Sequence, residues 1–234
     1  MYYIGWDIGI KNLAYCIIET LPDNSESIKE LEIINLIDPP KIYKCSCINK
    51  NKSKCKGKST YISKINEEIT YCNKHYNLLS NKEKKPLKSI KTPKKCNKYS
   101  LEELGIRLFK QLDENTLFSK CENIIIENQP VLKNPTMKSI QIMLYSYFLI
   151  KNKNINIIKL LNASNKLKVY KGKIPDEETE KLSKIKDKYR RNKMTAILHA
   201  SLMIDDKEIL DYFNSHKKKD DLADAYLMTK YLLK

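Results

Sequence analysis

The chain has 234 residues and a hydrophobic content of 41%, which is typical of a soluble globular protein with one sizeable core and a small appendage. Its 44 basic and 28 acidic residues give a formal charge of +16, which indicates either a polyanionic partner, because phosphate contacts release counterions, or a lysine-rich genome with AT-biased codons. No apolar run reaches the roughly 18 residues of a membrane span, and residues 1–7 contain an acid instead of a signal segment, so we expect an intracellular protein with no membrane partner.

The first third of the chain begins with short apolar runs separated by turns. Residues 2–8 and 13–20 predict two strands joined by a tight turn, and residues 31–37 predict a third, so an antiparallel meander is expected. From residue 38 to residue 98, lysine, asparagine and cysteine dominate and the apolar periodicity is lost. We therefore predict one domain made of residues 1–37 and 99–234, interrupted by an insertion of residues 38–98.

The rest of the chain alternates between predicted helices and strands. Strands are predicted at residues 124–128, where Pro130 stops the run, and at residues 155–161. Such alternation is typical of parallel pairing, so the sequence predicts an α/β fold with a mixed sheet of five strands flanked by helices. The predicted helices begin at Ser100 and Asn134 and cover residues 181–203, which are basic, and residues 221–233.

Acidic residues interrupt three of the apolar segments. Asp7 lies in the first strand, Glu127 lies in the strand before Pro130, and Asp221 and Asp224 share one face of the last helix. An isolated carboxylate is costly to bury unless it is paired or binds a metal, so we expect these four to converge on a shared metal site. Capping of the helix is the alternative for Asp221 and for its neighbour Asp220, which we interpret as a cap or a spare ligand.

The segments around these acids resemble those of ribonuclease H-like nucleases, and in particular RuvC-like Holliday junction resolvases of the poxvirus-type and fungal mitochondrial branch. Residues 5–14, 126–130 and 219–225 carry the resemblance, which omits the insertion. It implies a Mg²⁺-dependent endodeoxyribonuclease that resolves branched DNA, above all four-way junctions. It further implies a homodimer, because two symmetric cuts need two active sites, and a viral protein that acts at a replication site in the host cytoplasm or nucleus.

The chemistry of phosphodiester hydrolysis explains these residue types independently of the family. In two-metal hydrolysis one Mg²⁺ activates water and the other stabilises the leaving oxygen, so several carboxylates must converge from different elements. The resemblance assigns this metal-ligand role to Asp7, Glu127, Asp221 and Asp224, with Mn²⁺ as a substitute for Mg²⁺. A basic residue near the scissile phosphate is also expected, and the candidate is Lys166 with Lys168 as its competitor. A solvated charge is the alternative for either lysine.

Several basic residues are candidates for contact with DNA phosphates. A solvated helix face is the usual explanation for a run of basic residues. The run within residues 181–203, however, lies between two elements that carry the acids. The candidates are Lys11, Lys188, Arg190, Arg191 and Lys193.

The insertion contains a second set of metal-binding residue types. Cys45, Cys55, Cys72 and His75 form a pattern that resembles small zinc-binding modules of DNA-virus proteins, and zinc prefers four sulfur or nitrogen ligands. Cys47 is the alternate for Cys45, and free thiols are the alternative to a metal site. Zinc would supply folding energy to a polar segment with little core. We expect the insertion to be an accessory element that binds DNA or a second subunit.

Two other functions are consistent with parts of the sequence. One is a non-catalytic zinc-dependent nucleic-acid-binding protein in which the acids are structural. The other is an actin-like ATPase, whose first strand has the same Asp-x-Gly motif, but its phosphate sites need several glycine-rich turns and this chain has only five glycines. The apolar helix from Met137 to Ile150, with Tyr145 and Tyr147, is a candidate dimer surface, and a core helix is the alternative.

Overall fold

A computed structural model describes residues 1–39, 41–91 and 94–234. The contacts divide the chain into two compact units, residues 1–37 with 96–234 and residues 38–95. In chain order the strands and helices are β1 (Tyr2–Asp7), β2 (Leu13–Thr20), β3 (Glu26–Ile34), β4 (Tyr61–Ser63), β5 (Thr70–Tyr71), α1 (Asn73–Asn77), α2 (Asn81–Lys84), β6 (Leu87–Ser89), α3 (Leu101–Glu114), β7 (Cys121–Glu127), α4 (Pro135–Lys151), β8 (Ile157–Leu161), α5 (Asp176–Ser183), α6 (Lys188–Met203), α7 (Lys207–Ser215) and α8 (Lys219–Leu232).

The larger unit is built on a five-stranded sheet with the strand order β3-β2-β1-β7-β8. The first three strands pair antiparallel as a meander, and β1, β7 and β8 pair parallel. The mixed sheet predicted from the sequence is therefore confirmed. The change of direction occurs at β1, which lies in the centre of the sheet.

Helices cover both faces of this sheet, because alternate residues of a strand point to opposite sides. On one face Ile4 and Trp6 of β1 belong to a core with residues of α3 and α4, including Leu108. On the other face Ala14 and Cys16 of β2 belong to a core with residues of α6, α7 and α8. The second of these apolar layers fixes α8 against the centre of the sheet.

Two predicted elements of the larger unit differ most from the structure, while the limits of the other predicted strands and helices differ by about three residues or fewer. The third strand begins at Glu26, not at residue 31, because a tight turn closed by the bond from Leu21 N to Ser25 O (2.9 Å) starts the pairing immediately. The single basic helix predicted over residues 181–203 is wrong. Two helices, α5 and α6, cover this region because the Asp187 carboxylate accepts a hydrogen bond from Arg190 N (2.6 Å) and caps a new helix.

The smaller unit has a three-stranded antiparallel sheet with the order β5-β4-β6 and a two-stranded ribbon over residues 44–58. Among its described residues, Ile62 is the one buried hydrophobic side chain apart from two cysteines. Tyr61 and Tyr76 stack with ring centroids 3.4 Å apart. So little apolar burial provides little folding energy on its own.

Residues 96–98 belong to the larger unit, where Cys96 packs against the core. Within the parts of the chain that the structure describes, no helix has both the length and the hydropathy needed to span a membrane.

Candidate functional site

Asp7 and Glu127 lie side by side at the carboxyl ends of two neighbouring strands. β1 and β7 pair parallel with Trp6 opposite Ile126, so the residue that follows each of these is brought to the same edge of the sheet. Asp7 is only 9% exposed, and Glu127 is half-buried. The carboxyl edge of parallel strands is where open α/β sheets place their ligand sites.

Helix α8 brings Asp221 and Asp224 to the same edge because it approaches β1 very closely. A Cβ atom at Gly5 would lie 2.5 Å from Thr229 Oγ1 and 2.8 Å from Ala225 O, so only glycine permits this distance between strand and helix. Asp224 directly precedes Ala225, and its side chain lines one cleft with Asp7 at the end of β1. The close contact at Gly5 is thus a structural condition for the convergence of the acids.

All four predicted acids line one cleft with a volume of about 390 Å³. Lysines, amides and a tyrosine complete its wall, contributed by the loop after β7, the turn after β8 and α6. The polar lining residues are Asp7, Glu127, Gln129, Ser164, Lys166, Tyr189, Asn192, Lys193, Asp221 and Asp224.

The electrostatics of the cleft favour the binding of a cation. Burial raises the pKa of Asp7 well above its usual value, and the neighbouring carboxylates of Glu127 and Asp224 raise it further. Burial also raises the pKa of Asp224, to about 6, although Lys166 opposes the change. Several hard oxygen ligands crowded together in this way fit Mg²⁺ or Mn²⁺, whose charge would offset the repulsion.

Lys166, not Lys168, lies in the cleft. Its ammonium is 2.5 Å from Asp224 Oδ2, and the residue is 8% exposed. Burial lowers the pKa of Lys166, but the carboxylate of Asp224 and its acidic neighbours outweigh burial, so the net shift is upward and the charge is retained. Lys168 is exposed, and its ammonium donates to Asn165 Oδ1 at 3.0 Å.

Asp220 lies outside the cleft, although it adjoins Asp221. It forms an ion pair with Lys193, and Lys218 Nζ lies 3.4 Å from its Oδ1. Lys218 Nζ also lies 3.2 Å from Asp221 Oδ2. Asp220 is therefore neutralised by lysines, and it is positioned to hold Lys193 at the rim of the cleft.

The five predicted DNA contacts occupy different places. Lys193 lines the cleft beside Tyr189, with Nζ 5.0 Å from the ring centroid. Arg191 is half-buried, with Nη1 3.5 Å from Ile185 O. The other three are exposed on the first turn of α6 or in the turn after β1, namely Lys188, Arg190 and Lys11.

Sequence reasoning missed the amide groups that orient Glu127. Gln129 Nε2 donates to Glu127 Oε2 at 2.6 Å, and the backbone N–H of Gln129 donates to Gln141 Oε1 at 2.7 Å. Gln141 is fully buried in α4, where Lys138 Nζ donates to the same Oε1 at 3.1 Å. One feature of the sequence could have identified Gln141. It is a polar residue on the apolar face of a predicted helix, at helical spacing from Met137 and Leu144.

The smaller unit brings Cys45, Cys55, Cys72 and His75 together, with one ligand atom from each residue within 4.8 Å of the others. The Sγ atoms of Cys45 and Cys72 each lie 3.4 Å from His75 Nδ1, and Cys55 Sγ lies 4.0 Å from Cys72 Sγ. A tetrahedral zinc ion with Zn–S bonds of about 2.3 Å places its ligand atoms about 3.8 Å apart. The Cys₃His geometry therefore fits zinc, and Cys47 is not part of it.

Backbone hydrogen bonds hold these ligands in place. Cys45 N donates to Gly57 O, and Cys55 N donates to Cys47 O, both at 2.9 Å, so the arms of the ribbon bring two cysteines together. Gly57 N donates to Cys55 Sγ at 3.3 Å, which stabilises a thiolate. Cys72 and His75 lie at i and i+3 at the start of α1, so both point to the same side.

No family model matches the chain. The uncharacterized protein L451 of Acanthamoeba polyphaga mimivirus is 30% identical over 317 aligned residues, which cover 100% of this chain and 74% of the relative. The chain belongs to the family of L451. L451 is thus a viral protein.

The fold of this L451-family protein is that of Holliday junction resolvases. It is similar to the yeast mitochondrial Holliday junction resolvase Ydc2, with a TM-score of 0.51 and 17% identity over 98% of this chain and 78% of that one. It is also similar to the fowlpox virus resolvase in complex with Holliday junction DNA, with a TM-score of 0.51 and 16% identity over 100% of this chain and 97% of that one. The resolvase-type fold predicted from the sequence motifs is confirmed.

Proposed function

We propose that this L451-family protein is a structure-selective endodeoxyribonuclease that resolves four-way junctions and other branched DNA by Mg²⁺-dependent hydrolysis. The observation that carries the proposal is the convergence of four carboxylates and one buried lysine in a single cleft of a resolvase-type fold. Neither the fold nor the acids would suffice alone, because folds host many functions and acidic clusters are common.

In this proposal Asp7, Glu127, Asp221 and Asp224 hold the catalytic metal. Two Mg²⁺ ions, or Mn²⁺ in their place, supply an activated water and stabilise the leaving oxygen when they are bound. Glu127 is kept in position by Gln129, which accounts for the buried amide network behind the cleft. These four residues thus provide the hard oxygen ligands that Mg²⁺ requires.

Lys166 provides the positive charge next to the reacting phosphate. Its ammonium remains charged inside the cleft and is held by Asp224 at 2.5 Å. Negative charge develops on the phosphoryl oxygens during attack, so a fixed ammonium at this point stabilises the transition state more than the ground state. Lys193, held by Asp220 at the rim, and the exposed Lys11, Lys188 and Arg190 contact the phosphates on either side, as does Arg191.

The substrate and the assembly follow from the need for two cuts. The fowlpox virus resolvase is described in complex with Holliday junction DNA. We propose that this chain binds the same class of substrate as a homodimer, with one active site for each nick. The predicted dimer surface needs one correction, since Tyr147 lies in the core and donates to Asp113 Oδ1 at 2.9 Å. The outward face of α4, with Ile142, Leu149 and Ile150 exposed, remains available to a partner.

We further propose that the smaller unit is a zinc module inserted in the nuclease domain, and that the protein acts on viral DNA at a replication site in the host cytoplasm or nucleus. The Cys₃His geometry supports the first statement, and the viral relative supports the second.

A labelled mobile four-way junction tests the proposal directly. With Mg²⁺ the wild-type protein should nick the junction, and Asp7→Asn or Asp224→Asn should lower the rate by at least about 100-fold, because each loses a metal ligand. Both variants should still bind the junction without added Mg²⁺, since an amide adds no repulsion toward phosphate.

Asp211→Asn is the matched control, because Asp211 is exposed on α7 and lies outside the cleft. It should retain cleavage with Mg²⁺. Near-wild-type cleavage by both Asp7→Asn and Asp224→Asn would exclude the two-metal mechanism. A wild-type protein that binds junctions but cuts none with Mg²⁺ or Mn²⁺ would instead support a zinc-dependent nucleic-acid-binding protein without catalysis.

A further inference from the structure

The positive charge of the chain is concentrated in the smaller unit. Residues 38–95 contain 16 of the 44 basic residues and 4 of the 28 acidic ones, so this unit carries +12 of the formal charge of +16. The larger unit, with 28 basic and 24 acidic residues, carries only +4. The polyanion affinity that the composition indicates is therefore a property of the insertion more than of the nuclease-like unit.

Within this unit, the ribbon of residues 44–58 places lysines on one face. Lys54, Lys56 and Lys58 alternate with residues that are less exposed, and an extended strand directs alternate side chains to opposite faces. Lys44 pairs with Lys58 across the ribbon and shares its face. We call this set of Lys44, Lys54, Lys56 and Lys58 the lysine face. The opposite side of the ribbon carries Cys45 and Cys55, two of the proposed zinc ligands.

This arrangement is unfavourable for the protein in isolation. Like charges directly opposite each other in a ribbon are destabilising, and Lys44 stands opposite Lys58. Among the described residues, no carboxylate forms an ion pair with any lysine of the lysine face. Four exposed ammonium groups on a rigid ribbon are therefore arranged for an external anion with several charges.

The ribbon is also held rigidly. The proposed zinc ligands Cys45 and Cys55 tie its two arms together, and the tip is closed by bonds between Asn49 and Ser53, including Asn49 N to Ser53 O at 2.8 Å. Alternate residues of a strand repeat at about 6.6 Å, which is comparable to the separation of neighbouring phosphates along one DNA strand. A prearranged row of cations loses little entropy on binding such a backbone.

We infer that the lysine face binds the phosphate backbone of duplex DNA and supplies most of the affinity of this protein for the arms of its substrate. The inference rests on the proposed function for the choice of DNA as the polyanion. The lysine face has no arginine, asparagine or glutamine, which are the side chains that read base edges in the major groove. It therefore positions the protein on DNA of any sequence and leaves the recognition of branches to the larger unit.

The test is a salt titration of binding to a linear DNA duplex without added Mg²⁺, comparing the wild-type protein with a variant that carries K44Q, K54Q, K56Q and K58Q. Each lost phosphate contact lowers the magnitude of the negative slope of log K against log salt by about 0.9, so the loss of four contacts lowers it by up to about 3.6. Affinity at about 0.1 M salt should fall at least about tenfold. Replacement of the same lysines by arginine should preserve both the slope and the affinity.

The matched control removes the same charge from other exposed lysines of the same unit, with K64Q, K82Q, K85Q and K88Q. This control should change the slope much less, and zinc content should remain at one ion per chain in both variants, which reports that the unit is folded. If the lysine-face variant loses zinc, the double variant K54Q/K56Q replaces it, with half the expected change in slope.

An unchanged slope in the lysine-face variant, or equal losses in the two glutamine variants, would overturn the inference. Because binding is measured on linear duplex without Mg²⁺, this result does not depend on cleavage. Failure of the proposed nuclease function would appear separately, as a wild-type protein that binds DNA but does not cut junctions.

Discussion

Single residues determine whether the acids of the cleft can meet, and Gly5 is the clearest example. Its missing side chain allows the backbone of α8 to approach β1 so closely that any Cβ atom would overlap Thr229 and Ala225. The neighbouring atoms include backbone N and O, which cannot move without moving the helix. Overpacking at such a point costs stability and also shifts the functional groups carried by the helix.

Gly5→Ala should lower the free energy of unfolding by about 1–3 kcal/mol, because the new methyl group displaces α8 from the sheet. Urea denaturation of the wild-type and variant proteins measures the change. Gly105→Ala is the control, since its Cβ atom would meet the flexible Met143 side chain and alanine favours a helix. If Gly5→Ala were as stable as Gly105→Ala, the contact between β1 and α8 would be less close than described.

The acids themselves should make the metal-free protein sensitive to pH. Burial raises the pKa of Asp224 to about 6 in the folded state, so its proton is bound more tightly there than in the unfolded chain. The resulting stability is present at low pH and is lost as pH rises through about 6. Without added Mg²⁺, Tm should therefore fall between pH 5 and pH 7.5. Asp224→Asn should reduce the accompanying fall in the free energy of unfolding by about 1 kcal/mol or more.

Added Mg²⁺ should raise Tm of the wild-type protein at pH 7.5 more than at pH 5, because protons compete with the metal at low pH. Differential scanning fluorimetry at both pH values gives the comparison, with Asp211→Asn, which removes an exposed carboxylate of α7, as the variant that keeps the wild-type response. A wild-type Tm that rises with pH in the absence of Mg²⁺ would contradict the prediction.

At the scale of elements, the sequence predicted those whose signals are local. β1 and β2 are mostly apolar segments on either side of a short turn. Helix α3 begins with a capping box formed by Ser100 and Glu103. The three segments that carry the acids were recognisable for the same reason, since each is a charged residue in an apolar run. The common location of Asp7 and Glu127 at one edge of the sheet followed from the parallel pairing of their strands.

Elements set by distant or competing contacts were not predictable in the same way. The start of α6 depends on whether the Asp187 side chain caps a new helix or lies on the face of a continuous one, and the basic composition is the same in both cases. The strands β4, β5 and β6 contain two or three residues each, too few to show a period. Gln141 accepts a hydrogen bond from Gln129 N only because the chain turns back after Pro130, and no local sequence pattern predicts this turn.

The smaller unit should depend on its metal. About one zinc ion per chain should be bound, and Cys72→Ser should lose it together with the protease resistance of residues 38–95, because the unit has almost no apolar core. Metal analysis after purification without added zinc and limited proteolysis provide the measurements.

Cys47→Ser is the matched control for this prediction, since Cys47 lies close in sequence to Cys45 but outside the ligand set. It should retain zinc. Loss of zinc in Cys47→Ser with retention of zinc in Cys45→Ser would show that Cys47, and not Cys45, is the ligand. Unchanged folding of Cys72→Ser without zinc would show that the cysteines are free thiols and not a structural metal site.

At the scale of the whole molecule, affinity and selectivity should separate. The formal charge of +16 favours binding to any DNA and should make it strongly dependent on salt, but charge alone cannot distinguish a junction from a linear duplex. In the proposed function that distinction comes from two active sites held at a fixed spacing in a homodimer. The preference for branched DNA should therefore persist at salt concentrations that weaken binding to both substrates.

Junction and linear duplex of equal length, titrated at several salt concentrations, should give parallel salt slopes and a constant preference for the junction. Mass measurement in solution should give a dimer of the 27.4 kDa chain. Equal affinity for both DNAs at every salt concentration, together with a monomeric mass, would indicate a general DNA-binding protein without selectivity for junctions.

The placement of the acids has a consequence for the synthesis of the protein. Asp7 is in the first strand and Asp224 in the last helix, and they meet only because α8 packs on β1 at Gly5. A chain still on the ribosome therefore cannot assemble the cleft until α8 has been translated, and a product that stops before α8 lacks two of the four acids. Under the proposed function, a damaging activity toward DNA arises only in molecules in which α8 has been translated and has packed onto β1.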